Sequence, residues 1–551
     1  MKQLFFALLL LVSLRAHAQP STWTLALPVA DLNGVMDVAT GPDGNAYVTG
    51  YFSGSLRVGN TVLTSNLPGM CLYIAKLSPE GRVLRATKLE GATDAFVSGI
   101  AVDKAGNSYL SGRFYGTLTY NGGQTVSAPI RDFGGHSAIL VKCGADGRVN
   151  WVVQGQGGAG GSLGDIEASD VAVDKAGNSY FCGRVSGNLR FGTLLLGPRK
   201  NQGFVASYNR QGQLRWARAL QAYPTQASGF SASSLGALAV DDAGHCYLSG
   251  SGYGGWQLDG VAVQGLAGNV FLALLDARTG HLEWGKATPG EGDGNALTTD
   301  GMGDVYIGGS FPGTANFGGI TLTSAGSTGS SDGFVARYDP DGSIDWATAL
   351  GGPNIDGVTA LAVDQKSRKV FVTGLLNFTS QATNRSFLAT LNANGRMQQM
   401  DKVGGPGTST GSKLALDDKN NIYTVGVFTG DCRFGPIGVH SMFTQSYFAR
   451  FGSRMGHHRQ NENDDNLTAT ELSLYPNPAQ DQLVLRLPAQ EQAGRATLYN
   501  QLGRAVAERP LPAAATQTEA IFDTSTLPDG LYTLRLATNQ ETTTRLVTVR
   551  H

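Results

Sequence analysis

The stretch IAVDKAGNSYLSG at residues 100–112 decides the fold, because related copies of it return along most of the chain. The copies are VATGPDGNAYVTG at 38–50, VAVDKAGNSYFCG at 171–183, LAVDDAGHCYLSG at 238–250, LTTDGMGDVYIGG at 297–309, LAVDQKSRKVFVTG at 361–374 and LALDDKNNIYTVG at 414–426. Each one alternates apolar residues, reaches a turn rich in Asp, Gly and Asn, and ends in β-branched and aromatic residues, which predicts a β-hairpin. Seven copies indicate seven structural repeats.

A second phrase follows each hairpin and predicts a second one. Its clearest copies are FVASYNRQGQLRWARAL at 204–220, FLALLDARTGHLEWGKAT at 271–288 and FVARYDPDGSIDWATAL at 334–350. The last strand of this phrase carries Trp151, Trp216, Trp284 or Trp346, with Arg85 and Gln399 in the equivalent slots. Two hairpins give four strands, and seven four-stranded sheets predict an all-β protein with a seven-bladed β-propeller.

The two ends of the repeat region complement each other. The seventh repeat stops after its third strand, YFARF at 447–451, whereas STWTLAL at 21–27 matches the fourth-strand phrase without a repeat of its own. Trp23 stands 62 residues before Arg85, in register with the other repeats. Pairing of this segment with the last repeat would close the ring and leave no open sheet edge. An open array that merely begins at Trp23 is the alternative.

The repeats resemble a known family, the bacterial β-propeller repeat of secreted proteins. Its blades carry A-V-D-x-x-G-N-x-Y-x-x-G followed by F-V-A-K-x-x-x-x-G, and the resemblance covers residues 21–452. It implies the fold only, since that family is largely without assigned biochemistry and propellers host unrelated activities.

The first eighteen residues, MKQLFFALLLLVSLRAHA, predict a secretory signal peptide. An early Lys precedes an apolar run of eleven residues, and Ala16 and Ala18 form a small-x-small cleavage site. The run is shorter than the roughly 20 residues that a membrane-spanning helix needs. We therefore expect export, with no transmembrane segment in the mature chain.

The C-terminal part of the chain, from residue 453 onward, no longer shows the repeat pattern. Residues 453–470 are polar and without apolar periodicity, which predicts a flexible linker. Residues 471–551 contain short alternating strands separated by Pro, Gly and Asn turns, which predicts a small Ig-like β-sandwich.

This last segment resembles the C-terminal sorting domain of the type IX secretion system. The motif residues are Tyr475, Pro476, Asn477 and Pro478, followed by Gly530 and Tyr532. The resemblance implies that the secretion machinery is a partner. It also implies a protein that is released from, or attached to, the outer surface of a Gram-negative bacterium.

Composition excludes several classes of partner and chemistry. Formal charge is −1 and only 15% of residues are charged, without blocks of one sign, so nucleic acid is not expected as a partner. The five cysteines are irregularly spaced, and no Cys/His metal spacing or catalytic motif occurs. We expect no cofactor and assign no catalytic residue. Calcium is the one cation considered, at DPDGSID (339–345), although the EF-hand Gly and Glu positions are wrong.

Ligand-binding residues should be those that break the repeat pattern. Aromatic and acidic residues of the irregular segments could hold a sugar or a cation, and the candidates are Asp165, Glu167, Tyr223, Trp256, Glu291 and Asp293. The leading hypothesis is a secreted or surface-attached, non-catalytic propeller that presents a binding face to a carbohydrate or protein ligand. The alternative is an exported polysaccharide hydrolase or lyase that uses these carboxylates. A purely architectural surface protein is the third reading.

Overall fold

The computed structural model describes residues 22–29, 34–59, 61–128, 136–157, 166–223, 234–252, 255–258, 260–263, 269–288, 290–326, 329–378, 384–452, 473–475, 479, 481–487, 494–500, 504–511, 518–538 and 542–549. The chain divides into two compact units, Met1–Arg454 and Met455–His551, and each is described by itself. The division falls in the segment for which the sequence predicts a linker. In the described part, all regular secondary structure is β-strand, as the sequence predicts.

The first half of the N-terminal unit contains fifteen strands. They are β1 (Thr22–Val29), β2 (Asp37–Thr40), β3 (Ala46–Ser53), β4 (Ser55–Val58), β5 (Thr61–Thr64), β6 (Met70–Leu77), β7 (Val83–Val102), β8 (Ser108–Tyr120), β9 (Gln124–Ser127), β10 (Ser137–Cys143), β11 (Val149–Gly157), β12 (Ile166–Val173), β13 (Ser179–Phe191), β14 (Leu194–Tyr208) and β15 (Leu214–Tyr223).

The second half of this unit continues the series. Its strands are β16 (Ser234–Val240), β17 (His245–Gly252), β18 (Gly255–Leu258), β19 (Val261–Val263), β20 (Asn269–Asp276), β21 (Leu282–Ala287), β22 (Asp293–Thr299), β23 (Val305–Phe311), β24 (Thr314–Phe317), β25 (Ile320–Thr323), β26 (Asp332–Tyr338), β27 (Ile344–Leu350), β28 (Ile355–Val363), β29 (Val370–Phe378), β30 (Arg385–Leu391), β31 (Met397–Lys402), β32 (Thr408–Leu416), β33 (Ile422–Phe434) and β34 (Ile437–Gly452).

Each sequence repeat corresponds to four antiparallel strands that lie side by side in a sheet, which we number first to fourth. The sets are β2-β3-β6-β7, β7-β8-β10-β11, β12-β13-β14-β15, β16-β17-β20-β21, β22-β23-β26-β27, β28-β29-β30-β31 and β32-β33-β34-β1, for repeats 1 to 7. The long β7 serves twice, because its beginning pairs with β6 and its end pairs with β8. The first strands contact one another in cyclic order, β2, β7, β12, β16, β22, β28 and β32, and β32 in turn contacts β2.

The N-terminal strand completes the last repeat. β1 runs antiparallel to β34, with Trp23 opposite Phe451 and Ala26 opposite Ala449. Trp23 packs edge-on against Phe434 and Phe451, with ring centroids 5.1 and 5.4 Å away. This is the pairing that the sequence predicts, and it supplies the fourth strand that repeat 7 lacks.

The Asp-x-x-Gly-Asn-x-Tyr phrase is a hydrogen-bonded turn. Asp103 Oδ1 accepts the backbone amides of Ala105 and Asn107, both at 2.9 Å. Its Oδ2 accepts the Asn107 side-chain amide at 2.8 Å and the Tyr109 hydroxyl at 3.1 Å. Gly106 occupies the left-handed position of the turn, with φ of 79°. The same set recurs at Asp174, with Ala176, Asn178 and Tyr180.

The C-terminal unit contains two sheets. Its strands are β35 (Ser473–Tyr475), β36 (Gln482–Leu487), β37 (Gly494–Tyr499), β38 (Ala505–Leu511), β39 (Thr518–Asp523), β40 (Gly530–Thr538) and β41 (Thr542–Val549). The strand orders are β35-β36-β39 and β38-β37-β40-β41. Both sheets contribute to one apolar core, with Leu485 and Phe522 from one and Leu498 and Leu534 from the other. Two sheets that share a core form a sandwich.

Candidate functional site: the channel between the first strands

The first strands of all seven repeats line a narrow channel with a cavity of about 210 Å³. Six of these strands contain a β-bulge, and in five of them the residue directly after the bulge lines the cavity. We call this the channel position. In repeats 1 to 7 it is occupied by Asp37, Gly99, Asp170, Ala237, Ala296, Ala360 and Lys413.

Two carboxylates at the channel position join neighbouring repeats. Asp37 Oδ1 accepts the amide of Val38 at 2.7 Å, and its Oδ2 accepts the amide of Ile100 in repeat 2 at 2.9 Å. Asp170 does the same in repeat 3, with Oδ2 2.9 Å from the amide of Leu238 in repeat 4. Burial raises the pKa of Asp37 to about 6 and also raises the pKa of Asp170. These side chains therefore hold protons more tightly than ordinary aspartates do.

Lys413 is the cation of this group. Burial alone would lower its pKa, but the charges of Asp170 and Asp37 outweigh burial and raise it. Among the described residues its ammonium has no hydrogen bond and no carboxylate within 4 Å. The channel thus contains two carboxylates and one ammonium that interact through space without direct contact.

A wider, acidic cavity of about 600 Å³ adjoins the channel, on the side of the Asp-x-x-Gly turns. Its acidic residues are Asp103, Asp174, Asp241, Asp242, Asp364, Asp417 and Asp418. Its cations are Lys104, Lys175 and Lys366. We call this acidic cavity the mouth. Thr298 lines the channel and the next residue, Thr299, lines the mouth, so that the channel leads into the mouth.

Three of the predicted ligand residues, Glu167, Glu291 and Asp293, lie where the first strands begin, opposite the end that carries the Asp-x-x-Gly turns. Glu291 and Asp293 are exposed, and the described residues offer neither of them a hydrogen bond or an ion pair. Glu167 is held by Arg184, whose Nη2 is 2.7 Å from Glu167 Oε2. Glu291 and Asp293 lie in the same segment of the chain, and the structure shows no contact between them and Glu167. Asp165 lies outside the described residues.

The expectation that Trp256 faces a ligand is wrong. Trp256 is only 2% exposed and packs on Phe271, with ring centroids 5.5 Å apart. The short hairpin of β18 and β19 extends from the edge of β15 and carries the indole into the apolar core. For Tyr223 the structure describes only the backbone, at the end of β15 opposite Gly255.

The export motifs are described in part. Ala16, Ala18, Pro476, Asn477 and Pro478 lie outside the described residues, and Tyr475 ends β35. Gly530 begins β40. Tyr532 is buried, and its hydroxyl donates to the carbonyl of Pro528 at 2.8 Å. Tyr532 therefore contributes to the apolar core of the sandwich.

The segment considered for calcium is a hairpin turn. Asp339 accepts the amide of Gly342 through its backbone carbonyl, and Asp341 accepts the amide and hydroxyl of Ser343. Asp345 binds Arg337. The described residues contain no group of three or more His, Cys, Asp or Glu side chains placed to hold a metal ion. The five cysteines are buried free thiols, and burial raises the pKa of Cys71 and Cys143 to about 12.

Sequence reasoning missed the charged residues of the channel. Asp37, Asp170 and Lys413 occupy one column of the aligned repeats in which the other four residues are Gly or Ala. This column could have indicated a functional site from the sequence alone, since charged residues stand there among small ones. The column can be assigned to the channel only when the position of the β-bulge in each first strand is known.

Comparisons with known proteins find similar chains but give no function. A segment is 27% identical over 190 residues to an uncharacterized WD repeat-containing protein of Acanthamoeba polyphaga mimivirus, covering 31% of this chain and 13% of that protein. The Dos1 propeller covers 77% of this chain and 95% of its own, with a TM-score of 0.36 and 10% identity. Rhamnogalacturonan lyase YesW covers 94% of this chain and 91% of its own, with a TM-score of 0.26 and 11% identity. Similarities at this level do not transfer a function.

No helix among the described residues has the length and hydropathy required to cross a bilayer.

The C-terminal segment matches a known protein family. Residues 473–550 match the family described as the secretion system C-terminal sorting domain, which supports export of this chain by type IX secretion.

Proposed function

We propose that this chain is a non-catalytic binding protein, exported across the outer membrane of a Gram-negative bacterium and then released or held at the cell surface. The sorting-domain match at residues 473–550 carries the export half of this proposal. The predicted signal peptide at 1–18 supplies passage across the inner membrane. Residues 473–551 are the part that the secretion machinery recognises.

The N-terminal unit acts as a seven-bladed propeller in this proposal. Three observations support it: the seven sets of four strands, the cyclic contacts of the first strands, and the pairing of β1 with β34. Side chains also tie repeat 1 to repeat 7, because the Thr40 hydroxyl donates to the carbonyl of Leu416 at 2.7 Å. The C-terminal unit is the Ig-like sandwich.

The binding face is the side on which the first strands begin. Its support is the exposure of Glu291 and Asp293, two carboxylates that the described residues leave without partners. Charged side chains that form no contacts within their own chain are available for a ligand. The ligand class is a carbohydrate or a protein.

Deletion tests the export half. The intact chain, expressed in a bacterium with a type IX system, is expected outside the cell, and the chain without residues 473–551 is expected to remain in the periplasm. The exposed substitution Glu508→Gln controls for general effects on the sandwich. Appearance of the truncated chain in the medium at the level of the intact one contradicts the assignment. N-terminal sequencing of the exported protein checks cleavage after Ala18.

A thermal-shift scan against cello-, xylo- and galacto-oligosaccharides tests the binding half. A ligand present at 100 times its Kd adds about 2.7 kcal/mol of stability. We expect the shift to disappear in the double variant Glu291→Gln/Asp293→Asn and to persist in Glu283→Gln, an exposed carboxylate on β21. Release of reducing sugar or of unsaturated product in the same samples would instead support the polysaccharide-active alternative.

A further inference from the structure

Residues from all seven repeats line the cavity in the channel, and their side chains differ between the two halves of the ring. Its lining includes Ala237, Ala296 and Ala360, the channel positions of repeats 4 to 6. The carboxylates of Asp37 and Asp170 come from repeats 1 and 3. Small side chains therefore leave space in one half of the channel, and the acidic groups stand in the other.

Because repeats 4 to 6 have alanine at the channel position, the backbone amides of the repeats that follow them receive no side-chain carboxylate as acceptor. Asp37 and Asp170 each accept the amide that follows the channel position in the next repeat, those of Ile100 and Leu238. The equivalent residues of repeats 5 to 7 have the same register toward their second strands, and they are Leu297, Leu361 and Leu414. Each of them follows a repeat with alanine at the channel position, so no carboxylate of the preceding repeat reaches its amide. All three residues line the cavity.

Lys413 adds a positive charge to the same side. It occupies the channel position directly before Leu414, whose amide is one of the three donors. Its ammonium can donate three hydrogen bonds, and the described residues accept none of them. Asp170 in repeat 3, and Asp37 in repeat 1 next to the repeat of Lys413, use only part of their acceptor capacity, since a carboxylate offers about four lone-pair sites. The cavity thus has a donor side and an acceptor side.

We propose that this cavity binds a small zwitterion that carries one carboxylate and one ammonium group. The ligand carboxylate lies against Lys413 and the amides of Leu361 and Leu414. The ligand ammonium lies against Asp37 and Asp170. The volume of about 210 Å³ is below the roughly 300 Å³ at which pockets for drug-sized ligands begin, which favours an amino acid of a few carbon atoms.

The acidic mouth provides the entrance. It contains seven aspartates and three lysines and leads into the channel through consecutive residues such as Ala362 and Val363. A mouth with an excess of one charge raises the local concentration of the opposite charge. The ammonium end of the ligand is therefore drawn in from this side.

Isothermal titration of the full chain with a series of ω-amino acids tests the proposal. Glycine, β-alanine and 4-aminobutyrate carry the same two charges at increasing separation, whereas acetate and methylammonium each carry one. We expect one member of the series to bind at least about tenfold more tightly than either single-charge probe, a difference of about 1.4 kcal/mol. Equal binding of acetate and the best zwitterion overturns the proposal, and so does the absence of heat with every probe.

Variants separate the two sides of the cavity. Lys413→Met and Asp170→Asn should each weaken the best ligand at least about tenfold, while Glu283→Gln, on the exposed face of β21 and outside the cavity, should leave it unchanged. Ala296→Asp provides a test that does not weaken the fold. Its carboxylate would bind the amide of Leu361 as Asp170 binds that of Leu238, and would fill the cavity. Undiminished binding in Ala296→Asp, with an unchanged melting temperature, overturns the assigned site.

Discussion

The guanidinium of Arg85 donates a hydrogen bond to the backbone carbonyl of Ala145, in the turn between the third and fourth strands of the next repeat. In repeats 2 to 5 an indole from the same slot makes the equivalent bond. The pairs are Trp151 with Arg210 at 3.1 Å, Trp216 with Ala277 at 3.1 Å, Trp284 with Pro340 at 2.9 Å and Trp346 with Ala393 at 2.9 Å. The fourth strand thus fastens each of these repeats to its neighbour, and arginine replaces tryptophan because a long donor reaches the same carbonyl.

Gly395→Ala should destabilise the N-terminal unit by about 2–5 kcal/mol. Gly395 has φ of 74°, and an added Cβ would lie 2.4 Å from the ring of Trp346. The cost therefore combines a left-handed backbone, about 1–2 kcal/mol, with overpacking, about 1–3 kcal/mol. Denaturant unfolding of the full chain measures the change.

Two other glycines separate these contributions. Gly244 has φ of 99° with nothing within 4 Å of an added Cβ, so Gly244→Ala should show the backbone cost alone. Gly438 has open space without a positive φ, so Gly438→Ala should be close to neutral. A Gly395→Ala variant no less stable than Gly244→Ala would contradict the role of the indole contact.

Trp23→Ala should cost about 3–5 kcal/mol. The indole is buried between Phe434 and Phe451, and its strand supplies the fourth strand of repeat 7. Its loss leaves a cavity and weakens the contact between the two ends of the repeat region. Val62→Ala, at a half-exposed position, serves as the control and should remain within about 0.5 kcal/mol of the parent. A melting curve of Trp23→Ala that coincides with that of the control would refute the closing role of β1.

The repeats and the closing strand could be predicted from sequence because single interactions force recurrent residues. Asp103, Asn107 and Tyr109 share one hydrogen-bonded turn, so they recur together. Trp23 could be placed because its slot follows from that spacing. The channel could not be placed, since a bulge inserts an extra residue and shifts the two-residue alternation by which strand faces are assigned. Trp256 was misassigned because an aromatic residue in an irregular segment is compatible with either a ligand face or a packed hairpin.

Repeat 5 contains a substitution that its neighbours compensate. Asp304 stands where repeats 2, 3 and 7 have Asn107, Asn178 and Asn421. A carboxylate cannot donate to Asp300 as the asparagine amide would, and burial together with the charge of Asp304 raises the pKa of Asp300. Arg337 binds Asp304 at 2.6 Å, and Arg368 lies 3.4 Å from Asp304 and 3.5 Å from Asp300.

Arg337→Met should therefore destabilise the unit by about 3 kcal/mol, because it leaves a nearly buried carboxylate with only the longer contact to Arg368. Adding Asp304→Asn should restore at least half of that loss, since the amide can donate to Asp300 and the second negative charge is gone. Denaturant unfolding of both single variants and the double variant gives the coupling energy. A double variant whose loss equals the sum of the single losses would show that the two residues act independently.

The channel carboxylate of Asp37 should make stability fall as pH rises. Its pKa is raised from 3.8 in the unfolded chain to about 6 in the folded protein, so the folded state binds the proton more tightly. The stabilisation from this group is present in full below pH 3.8 and is lost as pH rises through 6, by up to about 3 kcal/mol for roughly two pKa units. Asp37→Asn removes the titrating group and keeps one acceptor for the amides of Val38 and Ile100. The difference in unfolding free energy between parent and variant should thus decrease between pH 4 and 6 and level off above 7. A difference that increases with pH over this window would mean that the Lys413 ammonium outweighs burial and holds Asp37 ionised.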